Sequence, residues 1–348
     1  MPGQCPVPGV IIWEETMTDF TNSTRRGLLR GAAALAGASL LPQLAWAADY
    51  PSRPLTMIVP WGAGGGTDAT ARMISALLER KLGQPVNVVN RTGGAGVVGH
   101  SAIATAPADG YTLGVVTVEI AMMHHMGLTE LTSADYTPLG LMNADSPAVT
   151  VSSDAGFADI GALTEAVKAS EPGTFKASGT GQGGIWHLAL VGWLKSLGLA
   201  ADHVTWVPSE GSAPAMQDLI AGGIDIVTVS LAETKAMVDA GRAVNLALMS
   251  TERASSHPDL PTLTEGGGSN FALATWRGIA GPRDLPPEIG STIATALSEI
   301  AVDPEFTEFM ASRGFNISYL EPEAHGQMMQ DADAQMADAM TAAGLIQG

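Results

Sequence analysis

The chain holds one cysteine, Cys5, and about half as many basic residues (17 Lys and Arg) as acidic ones (35 Asp and Glu). It has no Gly-x-Ser-x-Gly and no His-Glu-x-x-His. Each scarcity removes a class of function. A lone thiol forms no intrachain disulfide and, since Cys5 precedes no lipobox, it reads as an irrelevant thiol. Downstream of it there is no thiolate to ligate a metal or attack a substrate. Without a nucleophile elbow or a zincin helix, two common hydrolase types are excluded. A net charge of −18 argues against nucleic acid or an anionic membrane surface as partner. Long apolar runs are missing too, because the uninterrupted stretch Gly31 to Leu41 is too short to span a bilayer.

What is present begins with a leader. "STRRGLLRGAAALAGASLLPQLAWAADY" sets Arg25 and Arg26 before a weakly apolar Gly/Ala/Leu run that ends in the small-x-small site Ala45-Trp46-Ala47. This reads as an export signal over residues 1–47, of the twin-arginine kind, with the mature chain starting at Ala48. Residues before Met17 fit no signal grammar, and Met17 itself would open a conventional one. The leader carries as many arginines as acids, so the mature charge is unchanged.

From Leu55 onward, short apolar runs alternate with amphipathic segments. "LTMIVP", "VNVVN" and "YTLGVVTV" read as strands, and Met73, Ile74, Leu77, Leu78 and Leu82 share one helical face between the first two. This β-α-β grammar predicts a parallel sheet with right-handed crossovers. A second such unit starts at "TFKASGTGQGGIWHLALVGWLKSLG". "HVTWVP", "GIDIVTVS" and "NLALMS" follow as strand candidates, with helices at Ala213 to Ala221 and Glu233 to Ala240. From Pro286 the chain reads as mostly helical. "TEGGGSN" (Thr264 to Asn270) is the best linker and "LMNADSPA" (Leu141 to Ala148) a weaker one. Two α/β lobes joined by two crossings fit this pattern.

Two glycine-rich strand-to-helix turns carry the chemistry. The first is Gly62 to Asp68 in "IVPWGAGGGTDATARMI", and the second is Ser178 to His187 in "SGTGQGGIWH". The first N–H groups of a helix have no internal partner, and glycines let a ligand approach them without a Cβ in the way. Each turn is therefore a candidate anion receptor. Nucleotide phosphate is disfavoured: the dinucleotide fingerprint fails at Thr67, no acid ends "VNVVN", and neither loop has Gly-Lys-Ser/Thr. The alternative is a pair of packing turns without a ligand. Asp68 has two readings, a carboxylate favouring the helix start and an acceptor for a ligand hydroxyl or water. In "TVEIAMMHHM", Glu119, His124 and His125 fall near the mouth; adjacent side chains on a helix diverge, so the histidines read as solvated or packed rather than as copper ligands.

These blocks, with "GQPVNVVNRTGGAGVVGHSAIATAPADGYTLG", "APAMQDLIAGGIDIV", "HPDLPTLTEGG" and "TWRGIAGPRDLPPEI", closely resemble the Bug-type proteins, the periplasmic substrate-binding components of tripartite tricarboxylate transporters. The match runs in order through the chain after the leader. The resemblance implies an α/β, two-lobed, hinge-closing fold of the Venus-flytrap type II class. Lobe 1 would be residues 48–147 and 270–348, and lobe 2 residues 148–269. It implies a small di- or tricarboxylate in the cleft, no cofactor, no metal, and a monomer that works with the transporter's membrane subunits in the periplasm. Carried over, the first grip is Ala63, Gly64, Gly65, Gly66, Thr67 and Asp68. The second is Ser178, Gly179, Thr180, Gly181, Gly183, Gly184 and His187, and Ser230 lines the site. Many family members have Tyr-Lys-Gly where this chain has Ser209-Glu210-Gly211. Two other readings stand beside a transport receptor: a periplasmic α/β enzyme using Asp68 and His187 as an acid–base pair, and a carboxylate sensor.

Overall fold

The computed structural model describes residues 50–346 apart from Ser255 and Gly268, so the expected leader and Cys5 lie outside the described residues. The chain runs β1 (Leu55–Val59), α1 (Gly66–Leu82), β2 (Val86–Asn90), α2 (Val97–Ala104), β3 (Thr112–Thr117) and β4 (Tyr136–Asp145). It continues with β5 (Ala148–Ser152), α3 (Ile160–Ala169), β6 (Lys176–Ser178), α4 (Ile185–Ser196), β7 (Thr205–Trp206), α5 (Ser212–Ala221), β8 (Ile226–Val227), α6 (Leu231–Asp239) and β9 (Ala243–Leu248). The last part holds α7 (Leu263–Gly267), β10 (Thr275–Pro282), α8 (Pro287–Ala301), α9 (Pro304–Arg313), β11 (Ile317–Leu320) and α10 (Pro322–Ala343). No described helix is long and apolar enough to cross a membrane.

Two sheets organise these elements, in the orders β11-β4-β10-β3-β1-β2 and β7-β6-β8-β5-β9. The expected parallel β-α-β units are there, since β1 pairs in parallel with β2 and β3, and β6 with β7 and β8. Each sheet also takes in antiparallel strands, which the β-α-β grammar does not predict. β10 runs antiparallel between β3 and β4, and β5 runs antiparallel to β8 and β9. The reason is where the chain crosses. β4 leaves the first sheet at Asp145 and β10 re-enters beside it at Thr275, so the returning strand must point the opposite way. "LMNADSPA", read as a linker, is the end of β4 and the start of β5, with only Ser146 and Pro147 between them.

Burial follows the periodicity on α1 but surrounds the first half of α4. On α1, Ala71, Ile74, Leu77 and Leu78 are buried, and on α4 the run Ile185 to Val191 is buried without a break. Each sheet has its own apolar cluster, and a third one joins Ile58 and Val116 of the first sheet to Trp186, Leu188 and Val229 of the second half. The C-terminal helix α10 packs on β4 and also on α4, so it fastens the two halves from behind.

Candidate ligand-binding site

Both glycine turns open their helices toward one cavity between the sheets. Gly65 is the N-cap of α1 and Gly184 the N-cap of α4, and neither helix start has a side-chain cap at that residue. From the first half the walls are Trp61, Gly62, Gly65, Gly66, Thr67, Thr117, Glu119, Thr275 and Arg277. From the second half they are Thr180, Ile185, Trp186, Ser212 and Glu233. The space open to the centre of a water-sized sphere is only about 20 Å³, about what one water needs. The halves are thus drawn together: Gly62 N–H donates to the Glu210 carbonyl across the cleft at 2.9 Å. A Cβ on Gly65 would stand 2.9 Å from the Ser212 hydroxyl.

Each helix start is met by a carboxylate from the opposite half. Gly66 N–H, at the start of α1, donates to Glu233 Oε1 at 3.3 Å. Ile185 N–H, at the start of α4, donates to Glu119 Oε1 at 3.3 Å. Side chains of the protein itself therefore sit where a bound anion would sit, as the unpaired N–H groups and helix dipole favour. Glu233 is aimed by Ser230, whose N–H and hydroxyl donate to its Oε2 at 3.1 and 2.9 Å. Glu119 accepts on its Oε2 a short hydrogen bond from Thr117, which a buried histidine supports in turn. His100, held neutral by burial with its pKa down at about 4, faces the Gly96 carbonyl with Nδ1 at 2.9 Å and accepts the Thr117 N–H on Nε2 at 3.3 Å.

Arg277 is the cation of the site. Standing on β10 and 3% exposed, it donates from Nε to Thr67 Oγ1 (3.1 Å) and from Nη1 to Asn143 (2.5 Å) and Asp145 (3.0 Å). Its Nη2 lies 3.4 Å from Glu233 Oε1. One guanidinium thus faces Asp145 and Glu233 directly and Glu119 at longer range. Burial raises the pKa of both Glu119 and Asp145, and the charge of Arg277 works against that rise. Thr180 Oγ1 adds a buried hydroxyl without a hydrogen-bond partner on the cavity wall.

The expected site residues divide accordingly. Gly65, Gly66, Thr67 and Thr180 line the cavity. Ala63, Gly64, Asp68, Ser178, Gly179, Gly181, Gly183, Gly184, His187 and Ser230 are not among its walls. Asp68 is buried behind the turn, accepting from Gly64 N–H, Asn90 and Arg72 at 2.9 Å each; its pKa is lowered, burial pushing it up and these bonds outweighing that. Ser178 donates to the Val207 carbonyl, and Gly179 leaves room for Trp186. Gly181 instead lines a neighbouring groove of about 360 Å³ with Trp61, Gly93 to Gly96, Ser209 and Glu210. His187 accepts Gly183 N–H on Nδ1 at 3.0 Å and stacks against Trp206, and burial lowers its pKa to about 4. No hydrogen bond or ion pair joins it to Asp68 among the described residues, so the acid–base pair of the enzyme reading is not assembled. Glu233 and Arg277 were not among the expected site residues, and Glu119 was expected only near the mouth, not as a wall of the cavity. The signal for Arg277 was an arginine alone inside the apolar run "TWRGIAGP".

The expected divergence of His124 and His125 is also corrected. That segment is a run of turns rather than a helix, and the two rings stand 3.9 Å apart, tilted by 44°.

With this geometry in view, the comparisons decide the family. Residues 70–345 match the family described as tripartite tricarboxylate transporter family receptor, TctC. The chain belongs to that family. The TctC chain is 30% identical over 309 residues to a UPF0065 protein from the tcbD-tcbE intergenic region of Pseudomonas sp. (strain P51), covering 88% of this chain and 90% of the relative. It is 32% identical over 274 residues to protein BugT of Bordetella pertussis, covering 76% and 81%. Among solved structures it is similar to the periplasmic binding protein BugD, with a TM-score of 0.79, 27% identity, and coverage of 85% of this chain and 99% of that one. The R. palustris protein Rpa4515 with adipate gives a TM-score of 0.80 at 25% identity, covering 85% and 99%. Its fold is therefore the two-lobed, α/β periplasmic-binding-protein fold of TctC receptors.

Proposed function

We propose that this TctC protein captures a small di- or tricarboxylate between its lobes and hands it to the membrane subunits of a tripartite transporter. Lobe 1 is taken as residues 48–147 and 270–348, and lobe 2 as residues 148–269. The observation that carries this reading is the pair of helix starts, one from each half, converging on a cavity that also holds Arg277. The adipate bound by a related structure supports the ligand class.

Magnitudes require both lobes. A hydrogen bond to a charged group contributes ~1.5–3 kcal/mol, so four from one turn give roughly 6–12. Association costs ~4–15 kcal/mol, and micromolar affinity needs about −8. One turn alone falls short. Glu119 and Glu233 hold the same N–H groups in the free protein, so a ligand carboxylate exchanges with them rather than filling bare donors. Exchange is nearly even in hydrogen bonds, which leaves the contacts to Thr180, Ser212, Thr275 and Arg277 to supply the net affinity.

In this reading the protein is a periplasmic monomer, exported behind the Arg25-Arg26 leader, and it returns its ligand unchanged without cofactor or metal chemistry. Calorimetry with succinate, malate, adipate and citrate tests it directly. One of these acids should bind at one per chain and be recovered intact. Failure of every carboxylate, with binding of a neutral or cationic solute instead, would overturn the ligand class. Normal export of the Arg25→Lys, Arg26→Lys chain would overturn the twin-arginine route.

A further inference from the structure

Outside the cleft, one cluster of side chains has the make-up of a metal centre. Seven residues after β3, the turn segment carries His124 and His125, and both rings point to the same carboxylate on α10. His124 Nε2 lies 3.1 Å from Asp333 Oδ2, and His125 Nε2 lies 3.1 Å from Asp333 Oδ1. One donor atom from each of the three residues falls within 4.8 Å of the others.

We propose that His124, His125 and Asp333 bind a divalent transition ion of the Zn²⁺ type. Ligand atoms 2.0–2.1 Å from one ion stand about 2.9 Å apart at a right angle and about 3.4 Å apart at the tetrahedral angle. The two N–O separations here fall between those values before any adjustment. Two imidazoles and one carboxylate suit Zn²⁺, Co²⁺ or Ni²⁺, and are poorly matched to the all-oxygen shells of Ca²⁺ or Mg²⁺. The side chains are 17%, 22% and 30% exposed, which leaves a side open for water as a further ligand. Met122 and Met123, next to the histidines in the chain, and Met329 and Met336, four residues before and three after Asp333 on α10, are buried in the shared core. Among the described residues Nδ1 of His124 is buried without a hydrogen-bond partner.

The position has a consequence for the cleft. An ion here ties the segment that begins with Glu119 to α10, and α10 packs on α4, whose start Glu119 meets. The proposal does not depend on the identity of the ligand in the cleft.

Its test is a Co²⁺ titration of the full chain carrying Cys5→Ser, so that the single thiol cannot take the ion. The expected result is one Co²⁺ per chain with visible d–d absorption of a low-symmetry site, displaced by Zn²⁺, and a melting temperature that rises with Zn²⁺ and falls back on chelation. His125→Ala and Asp333→Asn should each weaken uptake by about 10-fold or more, while Asp331→Asn, on the same helix, should not. Asp333→Asn keeps a carbonyl acceptor for a histidine N–H, so circular dichroism of that variant should match the parent. Absence of stoichiometric uptake, or uptake by His125→Ala and Asp333→Asn equal to that of the parent, would overturn the site and assign any bound ion to the acidic surface.

Discussion

Replacing Glu119 with glutamine should tighten dicarboxylate binding, although it removes a residue from the cavity wall. Glu119 is 2% exposed, and burial raises its pKa above the ordinary carboxylate value of 4.5. A ligand carboxylate that takes the Ile185 N–H while Glu119 stays beside the start of α4 puts two like charges at close range, of order 5 Å. At an effective dielectric near 20, two unit charges at that separation repel by about 3 kcal/mol. Since about 1.4 kcal/mol is tenfold in affinity, the ceiling on the gain is of order 100-fold. The wild type escapes part of this cost by taking up a proton on binding, which its raised pKa makes cheaper. The gain should therefore be smaller at low pH, where the proton is available, and larger at high pH. Wild-type affinity should fall as pH rises through the raised pKa of Glu119, and Glu119→Gln should flatten that fall. What slope remains belongs to Glu233, Asp145 and the ligand's own acid groups. Calorimetry in two buffers of different ionisation enthalpy counts the proton. Equal or weaker binding by Glu119→Gln, with unchanged proton uptake, would refute the argument that the cavity's own carboxylates oppose the ligand.

Arg277→Met should lower stability by about 3–5 kcal/mol, because it leaves Asp145 and Glu233 buried without their cation, and it should abolish ligand binding; denaturant melts and calorimetry check both. Gly65→Val should wedge the halves apart against Ser212, read as a larger radius of gyration in X-ray scattering together with lost binding. His100, His187 and His325 are held neutral by burial at about 4, against 6.5 in the unfolded chain. The unfolded state therefore binds more protons, and stability is lost as pH falls from 6.5 toward 4, at up to ~1.4 kcal/mol per pH unit for each histidine. The raised Glu119 and Asp145 act with the opposite sign. His325→Leu should reduce that acid loss by about a third, and should also raise the melting temperature at pH 7, since both ring nitrogens of His325 are buried without partners, a cost of ~1–3 kcal/mol.

The parts of this protein legible in its sequence are those governed by local rules. The period of apolar residues on α1 and α4, the continuous apolar β1 and the glycines before each helix depend on neighbours a few residues away, and they appear where that periodicity puts them. The family blocks extended this to the two-lobed fold. The antiparallel entry of β10 was not legible, because it follows from where the chain crosses and not from the composition of "TWRGIAGP". The same limit applies to the cavity. Asp68 lies next to its helix in sequence and could be weighed as a helix-start carboxylate; its bonds to Gly64, Arg72 and Asn90 fit that role. Glu233 and Gly66 are separated by 167 residues, and Glu119 and Ile185 by 66. No spacing rule links such pairs. Helix starts without a side-chain cap of their own are nevertheless a sequence-level observation, and each must find an acceptor from somewhere when buried. Asking which distant carboxylate satisfies them would have directed attention to the two acids beside otherwise apolar or small residues, Glu119 in "TVEIAMM" and Glu233 in "SLAETKA". The ligand's competitor is then part of the chain itself, and because one carboxylate replaces another on the same N–H groups, the other groups of the cavity wall set the affinity.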